Sequence, residues 1–154
     1  MATIDRLDWH CTNEYPKDLP LENAGIHIGM YLAWIIINDL IGEIHLESEQ
    51  SISQVNKVKK REITGLDFLI SECDEKFWEN DLNELGLQFT NFYYESEKSP
   101  SYFIDYAKIL SDNVETIYHV ENSWKNYDKL SKKIDKRFKA WNKTGEKKWW
   151  QIFK

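Results

Sequence analysis

The residues best suited to chemistry lie near the N-terminus, where two histidines and two carboxylates flank the start of an apolar stretch. Asp8 and His10 are close in sequence, and Glu22 and His27 stand on either side of the first residues of that stretch. If the N-terminal segment folds back, these side chains meet and could act in general acid–base catalysis or hold a metal ion. We favour the simpler interpretation, in which His10 and His27 fasten the segment to a helix by hydrogen bonds.

The spacing of the histidines does not support a metal centre. The chain has four histidines, but no two of them are four residues apart on a helix and no HExxH motif occurs. Zinc sites built on helices usually show such spacing. The sequence therefore predicts no metal, no cofactor and no catalytic residue.

The two cysteines, Cys11 and Cys73, indicate a reducing compartment and not catalysis. Their spacing fits neither a disulfide framework nor a zinc knuckle, and no motif marks either thiol as an activated nucleophile. The N-terminal residues lack the apolar core of a secretory signal. The longest apolar run, 28–37, is about half of the ~20 residues that a membrane span needs. We expect a cytoplasmic protein without a membrane partner.

The composition is typical of one globular domain with a bulky core. The chain has 154 residues, of which 42% are hydrophobic and 14% aromatic, including seven Trp. This length suffices for one hydrophobic core, and aromatic side chains each bury a large area. We therefore expect a single domain over residues 1–154.

Apolar periodicity predicts a mostly α-helical bundle of five to six helices with an extended N-terminal arm, residues 1–22. The arm contains prolines and polar turn residues. We expect its Leu7 and Trp9 to pack against the following helix. That helix, 24–41, is apolar on nearly every face and should be central, with Gly42 as its C-terminal stop.

Four further helices are indicated by their first residues. Ser48, Thr64 and Asn80 are predicted N-caps, and Pro100 is predicted to lie in the first turn of the next helix. An acidic residue three positions after Thr64 gives a capping-box pattern. Gly29, inside the central helix, should permit a neighbouring helix to pack closely.

The last predicted helix, 122–142, is amphipathic and basic, and Gly145 should release an aromatic tail over 143–154. Residues 1–121 contain 9 basic and 23 acidic side chains, a net charge of −14, whereas residues 122–154 contain 11 and 3, a net charge of +8. We expect the basic helix to lie on the acidic body. Its lysines and aromatic residues could instead contact nucleic acid, which the acidic body disfavours.

Several segments resemble an uncharacterised family of small, mostly helical bacterial proteins. The resemblance is carried by DRLDWH at 5–10, HIGMYLAW at 27–34 and YHVENSW at 118–124, and it extends over nearly the whole chain. It transfers no enzymatic activity and no catalytic residue. Because some members of the family occur in gene neighbourhoods that resemble toxin and immunity loci, the resemblance implies an immunity role.

Three hypotheses for the function follow. The leading one is a non-enzymatic immunity protein that binds and neutralises a basic toxin domain by charge complementarity. The alternatives are a small enzyme that uses Asp8, His10 and His27, and a nucleic-acid binder that uses the last helix. The acids expected at the protein interface are the densest sets outside the apolar stripes: Glu47, Glu49, Asp74, Glu75, Glu79, Asp81 and Glu84.

Overall fold

The chain folds into six α-helices and a two-stranded sheet over the part that the structure describes. The structure is a computed structural model that describes residues 2–152, with side chains described for residues 2–144. The helices are α1 (Ile26–Ile37), α2 (Glu49–Lys59), α3 (Gly65–Glu72), α4 (Glu84–Tyr93), α5 (Tyr102–Leu110) and α6 (Trp124–Ile152), and the strands are β1 (Thr3–Arg6) and β2 (Lys76–Trp78). The prediction of a mostly α-helical fold is confirmed.

Helix α1 is the central element because it is apolar on every face, and residues 26–36 are all buried. It is shorter than the predicted 24–41. A 3-10 turn, Leu21–Gly25, precedes it, and the backbone reverses at Asp39, whose φ of 58° is left-handed. Asp is among the residues that tolerate this φ. Of the described helices, none has the length and apolarity to cross a membrane.

Three glycines allow backbone segments to approach one another closely. A Cβ on Gly65 of α3 would overlap the carbonyl oxygen of Gly29 of α1, which confirms that Gly29 lies at a close helix contact. Gly42 is not the predicted helix stop. A Cβ at Gly42 would overlap the carbonyl oxygen of Asn80, so this glycine is needed where two loops meet.

Two of the predicted helix starts are confirmed. The Ser48 hydroxyl accepts the N–H of Ser51 at 3.1 Å and caps α2. The Thr64 hydroxyl accepts the N–H of Asp67 at 3.1 Å, and the Asp67 carboxylate accepts the N–H of Thr64 at 2.9 Å. This reciprocal pair satisfies backbone donors that the first turn of α3 would otherwise leave unpaired.

The next two helices begin later than predicted. Asn83, not Asn80, caps α4 by accepting the N–H of Gly86 at 2.8 Å, because residues 79–81 form a separate 3-10 turn. Helix α5 begins after Ser101, so Pro100 precedes the helix. Proline has no backbone N–H to donate, so it is suited to the segment just before the helix.

The N-terminal arm is more ordered than the extended segment predicted for residues 1–22. Its strand β1 pairs antiparallel with β2, which the sequence did not predict, and a 3-10 turn, Leu7–His10, follows. Leu7 is buried, as expected. Trp9 does not pack on α1, since 53% of it is exposed and Arg6 lies beside its ring.

Helix α6 packs on the body through apolar side chains and not through its charges. Its residues Tyr127, Leu130 and Ile134 are buried. Among the described residues, one ion pair joins a cation of α6 to an acid of the body: Arg137 Nε lies 2.9 Å from Asp105 Oδ2. Most lysines of α6 face solvent. Helix α6 therefore lies on the body, as predicted, but of its described cations only Arg137 forms an ion pair with an acid of the body.

Helix α6 also continues beyond its predicted end. It runs through Gly145 to Ile152, so this glycine does not terminate it. Helix propensity disfavours an internal glycine by only ~1 kcal/mol, which a long helix can absorb. Of the predicted aromatic tail, 143–154, the side chains from residue 145 onward lie outside the described residues.

Candidate functional site

The structure brings His10 and His27 together with a carboxylate that the sequence analysis did not select. His10 Nε2 lies 2.8 Å from Asp5 Oδ1, and His27 Nε2 lies 3.4 Å from Asp5 Oδ2. The two imidazole rings meet edge to face, with their centroids 4.5 Å apart. Asp5 comes from β1, His10 from the turn after it and His27 from the first turn of α1. We call these three residues the histidine cluster.

Two tyrosine hydroxyl groups form hydrogen bonds with the histidine cluster. Tyr94 donates its hydroxyl proton to Asp5 Oδ2 at 2.6 Å, and the Tyr118 hydroxyl lies 2.9 Å from His10 Nδ1. Burial acts to raise the pKa of Asp5, but the hydrogen bond with His10 and the proximity of the His27 imidazole outweigh it and hold the pKa well below 3.8. Asp5 is therefore an ionised, buried carboxylate.

His27 is the least satisfied member of the histidine cluster. Its side chain is 2% exposed, and burial lowers its pKa below the ordinary 6.5, so the neutral imidazole is favoured. Its Nε2 is close to Asp5 but not aligned with it, and this buried nitrogen has no hydrogen-bond partner. Buried polar atoms are normally paired, and a native exception calls for an explanation.

Two of the residues predicted for this site lie elsewhere. Asp8 is exposed and pairs with Arg6 at 2.8 Å, and Glu22 is exposed in the turn before α1. His27 is buried and His10 is largely buried, as expected, and His10 is hydrogen-bonded, but the expected hydrogen bond of His27 Nε2 is not formed among the described residues. Alternation along β1 gives no signal for Asp5, because the adjacent Ile4 and Asp5 are both buried and the strand register shifts between Thr3 and Asp5.

A second buried cluster, which the sequence analysis missed, joins His45, Cys73 and Asp81. His45 Nε2 lies 2.8 Å from Asp81 Oδ1, and the Cys73 thiol donates to the same oxygen at 3.8 Å. Burial and the Asp81 charge raise the pKa of Cys73 well above 9.0, so the thiol stays protonated. A protonated thiol is a poor nucleophile. We call these residues the cysteine cluster.

The cysteine cluster lies at the floor of a cleft of about 580 Å³. Glu72 and Asp74 also line this cleft, and no Lys or Arg is among the described residues that line it. We call it the acidic cleft. Asp74 and Glu75 have left-handed φ values of 53° and 63°. Such values are uncommon in non-glycine residues and occur more often at functional sites.

The seven acids predicted at a partner interface differ in how far they are exposed to solvent. Asp81 is wrongly placed among them, because it is 4% exposed and its carboxylate accepts the Trp78 N–H at 2.7 Å as well as pairing with His45. Glu79 is half-buried. The remaining five are exposed: Glu47, Glu49, Asp74, Glu75 and Glu84. Of the predicted acids, Asp74 and Asp81 line the acidic cleft.

Exposed apolar side chains lie close to the acidic cleft. Ile44, which lines it, and Leu46, two residues later, are each 46% exposed, whereas Ile52 of α2, 39% exposed, lines a different pocket. Single exposed apolar residues are common on protein surfaces. Two beside one charged concavity resemble the mixed surface of a protein interface.

Comparison with known proteins identifies the family. The model of the family described as "Domain of unknown function (DUF7832)" matches residues 3–120, and the chain belongs to that family. The match ends before α6 and includes both the histidine and cysteine clusters. No curated protein matches the chain, and no solved structure does.

Proposed function

We propose that this DUF7832 protein binds another protein and acts as a bacterial immunity protein, neutralising a basic toxin domain at the acidic cleft. The observation that carries the proposal is the composition of the cleft, which has Glu72, Asp74 and Asp81 among its lining residues and neither Lys nor Arg. A cationic side chain that enters such a concavity meets negative potential from several sides.

The charge distribution around the cleft favours a basic partner. Glu47, Glu49 and Glu75 are exposed on neighbouring segments. Lys76 pairs with Asp74 at 3.2 Å, and Arg6 pairs with Asp8 at 2.8 Å. Like-signed charges on one surface accelerate encounter with a partner of opposite sign and disfavour acidic partners.

The apolar residues supply contacts that charge alone does not. Burying half-exposed Ile44 and Leu46 would remove apolar area from water, at about 25 cal/mol per Å². Stable interfaces combine a buried apolar centre with a polar rim. The partner that fits is therefore a basic protein that also presents apolar side chains, not a polycation alone.

Binding of this kind needs no catalysis by the cleft. The Cys73 thiol is kept protonated, and His45 is held by Asp81. His45 and Cys73 are both hydrogen-bonded to Asp81 at the floor of the cleft, which supports a rigid binding surface. An immunity protein that works in this way would act in the cytoplasm of the cell that makes the toxin.

The test compares two charge-reversal variants that change the net charge equally. Glu72→Lys with Asp74→Lys alters the acidic cleft, whereas Glu14→Lys with Glu97→Lys alters two exposed acids outside its lining. The full-length protein is used to capture partners from its native host, and the affinity of the captured protein is then measured with each variant.

The cleft variant should weaken binding by at least about tenfold, equivalent to ~1.4 kcal/mol, and the control variant by much less. Circular dichroism of both variants verifies that they fold. Equal losses in the two variants would show a general charge effect and contradict the assignment to the cleft. Full affinity in the cleft variant would reject it.

A second candidate function is nucleic-acid binding by α6, favoured by its solvent-facing lysines. Lys125, Lys129, Lys132, Lys136 and Lys139 are exposed. Contacts between lysines and phosphates release counterions, so affinity for a nucleic acid should fall steeply with salt. A mobility-shift titration with single- and double-stranded oligonucleotides tests this function, and a Lys132→Glu, Lys136→Glu variant should lose any binding that depends on this face.

A further inference from the structure

We propose that the histidine cluster is a binding site for a divalent transition-metal ion of the zinc class. Asp5, His10 and His27 supply one carboxylate and two imidazoles, and one ligand atom from each lies within 4.8 Å of the others. This inference does not depend on the proposed protein-binding function. Sequence spacing does not predict it, because the three residues come from three different elements.

The distances within the cluster are close to those of a coordination shell. Zinc ligands lie about 2.0–2.2 Å from the ion, so two tetrahedral ligands are about 3.4 Å from each other. His27 Nε2 and Asp5 Oδ2 are separated by 3.4 Å. His10 Nε2 is closer to Asp5, at 2.8 Å, because it is hydrogen-bonded. An ion bound by all three groups would replace the hydrogen bond between His10 and Asp5.

The unpaired nitrogen of His27 is an independent indication of a ligand. Among the described residues, His27 Nε2 is a buried nitrogen without a hydrogen-bond partner, and it lies 3.4 Å from Asp5 Oδ2. A lone pair on this nitrogen would be satisfied by a metal ion.

The surrounding hydroxyl groups fit the needs of metal ligands. Binding at His10 Nε2 displaces its proton to Nδ1, where the Tyr118 hydroxyl, 2.9 Å away, can accept it as a hydrogen bond. The Tyr94 hydroxyl donates a hydrogen bond to Asp5 Oδ2 at 2.6 Å. Hydrogen bonds of this kind orient ligands in known metal sites. His10 remains 18% exposed, which gives the ion a route from solvent.

The donor atoms select the class of metal. Two imidazoles and one carboxylate suit zinc, cobalt, iron or manganese better than calcium or magnesium, which prefer oxygen ligands alone. The cysteine cluster has a thiol in place of one imidazole, and its His45, Cys73 and Asp81 are already hydrogen-bonded to one another. It therefore lacks the unpaired atom that distinguishes the histidine cluster.

The difference in ligands makes cobalt a discriminating probe. Full-length protein is freed of metal with a chelator and titrated with Co²⁺, followed by visible absorption and calorimetry. We expect one Co²⁺ per chain, bound without a thiolate-to-cobalt charge-transfer band and displaced by Zn²⁺. Cys73→Ser should bind Co²⁺ like the wild type.

His10→Gln and His27→Gln should each weaken Co²⁺ binding by at least about tenfold. His10 is the more exposed of the two, so its variant remains informative if His27→Gln fails to fold by circular dichroism. His119→Gln is the matched control, because His119 belongs to a surface group with Asp18 and Glu115 that could also hold an ion.

Three results would overturn the proposal. One is the absence of stoichiometric Co²⁺ binding by the folded wild type. Another is a charge-transfer band that disappears in Cys73→Ser, which would assign the ion to the cysteine cluster. The third is loss of binding in His119→Gln with retention in His10→Gln, which would assign the ion to the surface group.

Discussion

Replacing Trp34 by Ala tests the central position of α1. Trp34 is 1% exposed. Its ring lies 5.5 Å, between centroids, from both Phe89 and Phe138. Its indole N–H donates to Asp135 Oδ1 at 2.8 Å. The side chain thus joins α1 to α4 and α6, and its removal should loosen both contacts.

The expected cost follows from the volume lost and the fate of the hydrogen bond. Truncation of a buried Trp or Phe to Ala usually costs ~3–5 kcal/mol, because the surrounding side chains only partly fill the cavity. Asp135 is exposed and can be hydrated when the indole is gone, so the lost hydrogen bond adds at most about 1 kcal/mol. At a urea m-value of about 2 kcal/mol/M, the midpoint should fall by about 1.5–3 M.

Urea unfolding followed by far-UV circular dichroism measures this cost without relying on tryptophan fluorescence, to which seven Trp would contribute. Trp9→Ala is the matched control, because Trp9 is 53% exposed and its loss should change the free energy of unfolding by less than about 0.5 kcal/mol. A loss below about 1 kcal/mol for Trp34→Ala, or an equal loss for Trp9→Ala, would refute the assignment of the core.

Two further predictions concern the helix contacts. Gly65→Ala should lower the free energy of unfolding by about 1–3 kcal/mol, because its Cβ would meet the Gly29 carbonyl and α1 and α3 must separate; a neutral effect in urea unfolding would contradict this contact. Burial opposes the ionisation of Asp105, but hydrogen bonds from Arg137 and Tyr93 outweigh it and hold the pKa below 3.8. Its stabilising contribution should therefore be present at neutral pH and disappear as the pH falls below about 4. Asp105→Asn should flatten this part of the stability profile, and an unchanged slope would count against the ion pair.

Local signals in the sequence were sufficient for much of the fold. The caps at Ser48 and Thr64 were recognisable because a side chain within three residues satisfies the backbone. The central position of α1 followed from its apolar faces. Helix α1 ends earlier than the predicted residue 41. Asp39, which has a left-handed φ, ends the helix in the way that Gly42 was expected to do.

Non-local contacts explain most of what the sequence did not predict. Strand β2 has three residues and exists through its pairing with β1, more than 70 positions earlier. The same pairing positions Asp5, so the carboxylate of the histidine cluster could not be chosen from spacing to His10 alone. In the cysteine cluster, the sequence predicts an exposed Asp81. Its contact with His45 joins two turns that are far apart along the chain, so no local pattern indicates that Asp81 is buried.

The most direct test of the acidic cleft is the association rate of the captured partner at two ionic strengths. Screening shortens the range of charge interactions from about 30 Å at 0.01 M salt to about 8 Å at 0.15 M. The wild type should associate at least about tenfold faster at the lower salt, whereas Glu72→Lys with Asp74→Lys should remove most of that advantage. A wild-type rate that does not change with salt, or a cleft variant that keeps the full salt dependence, would contradict binding through the acidic cleft.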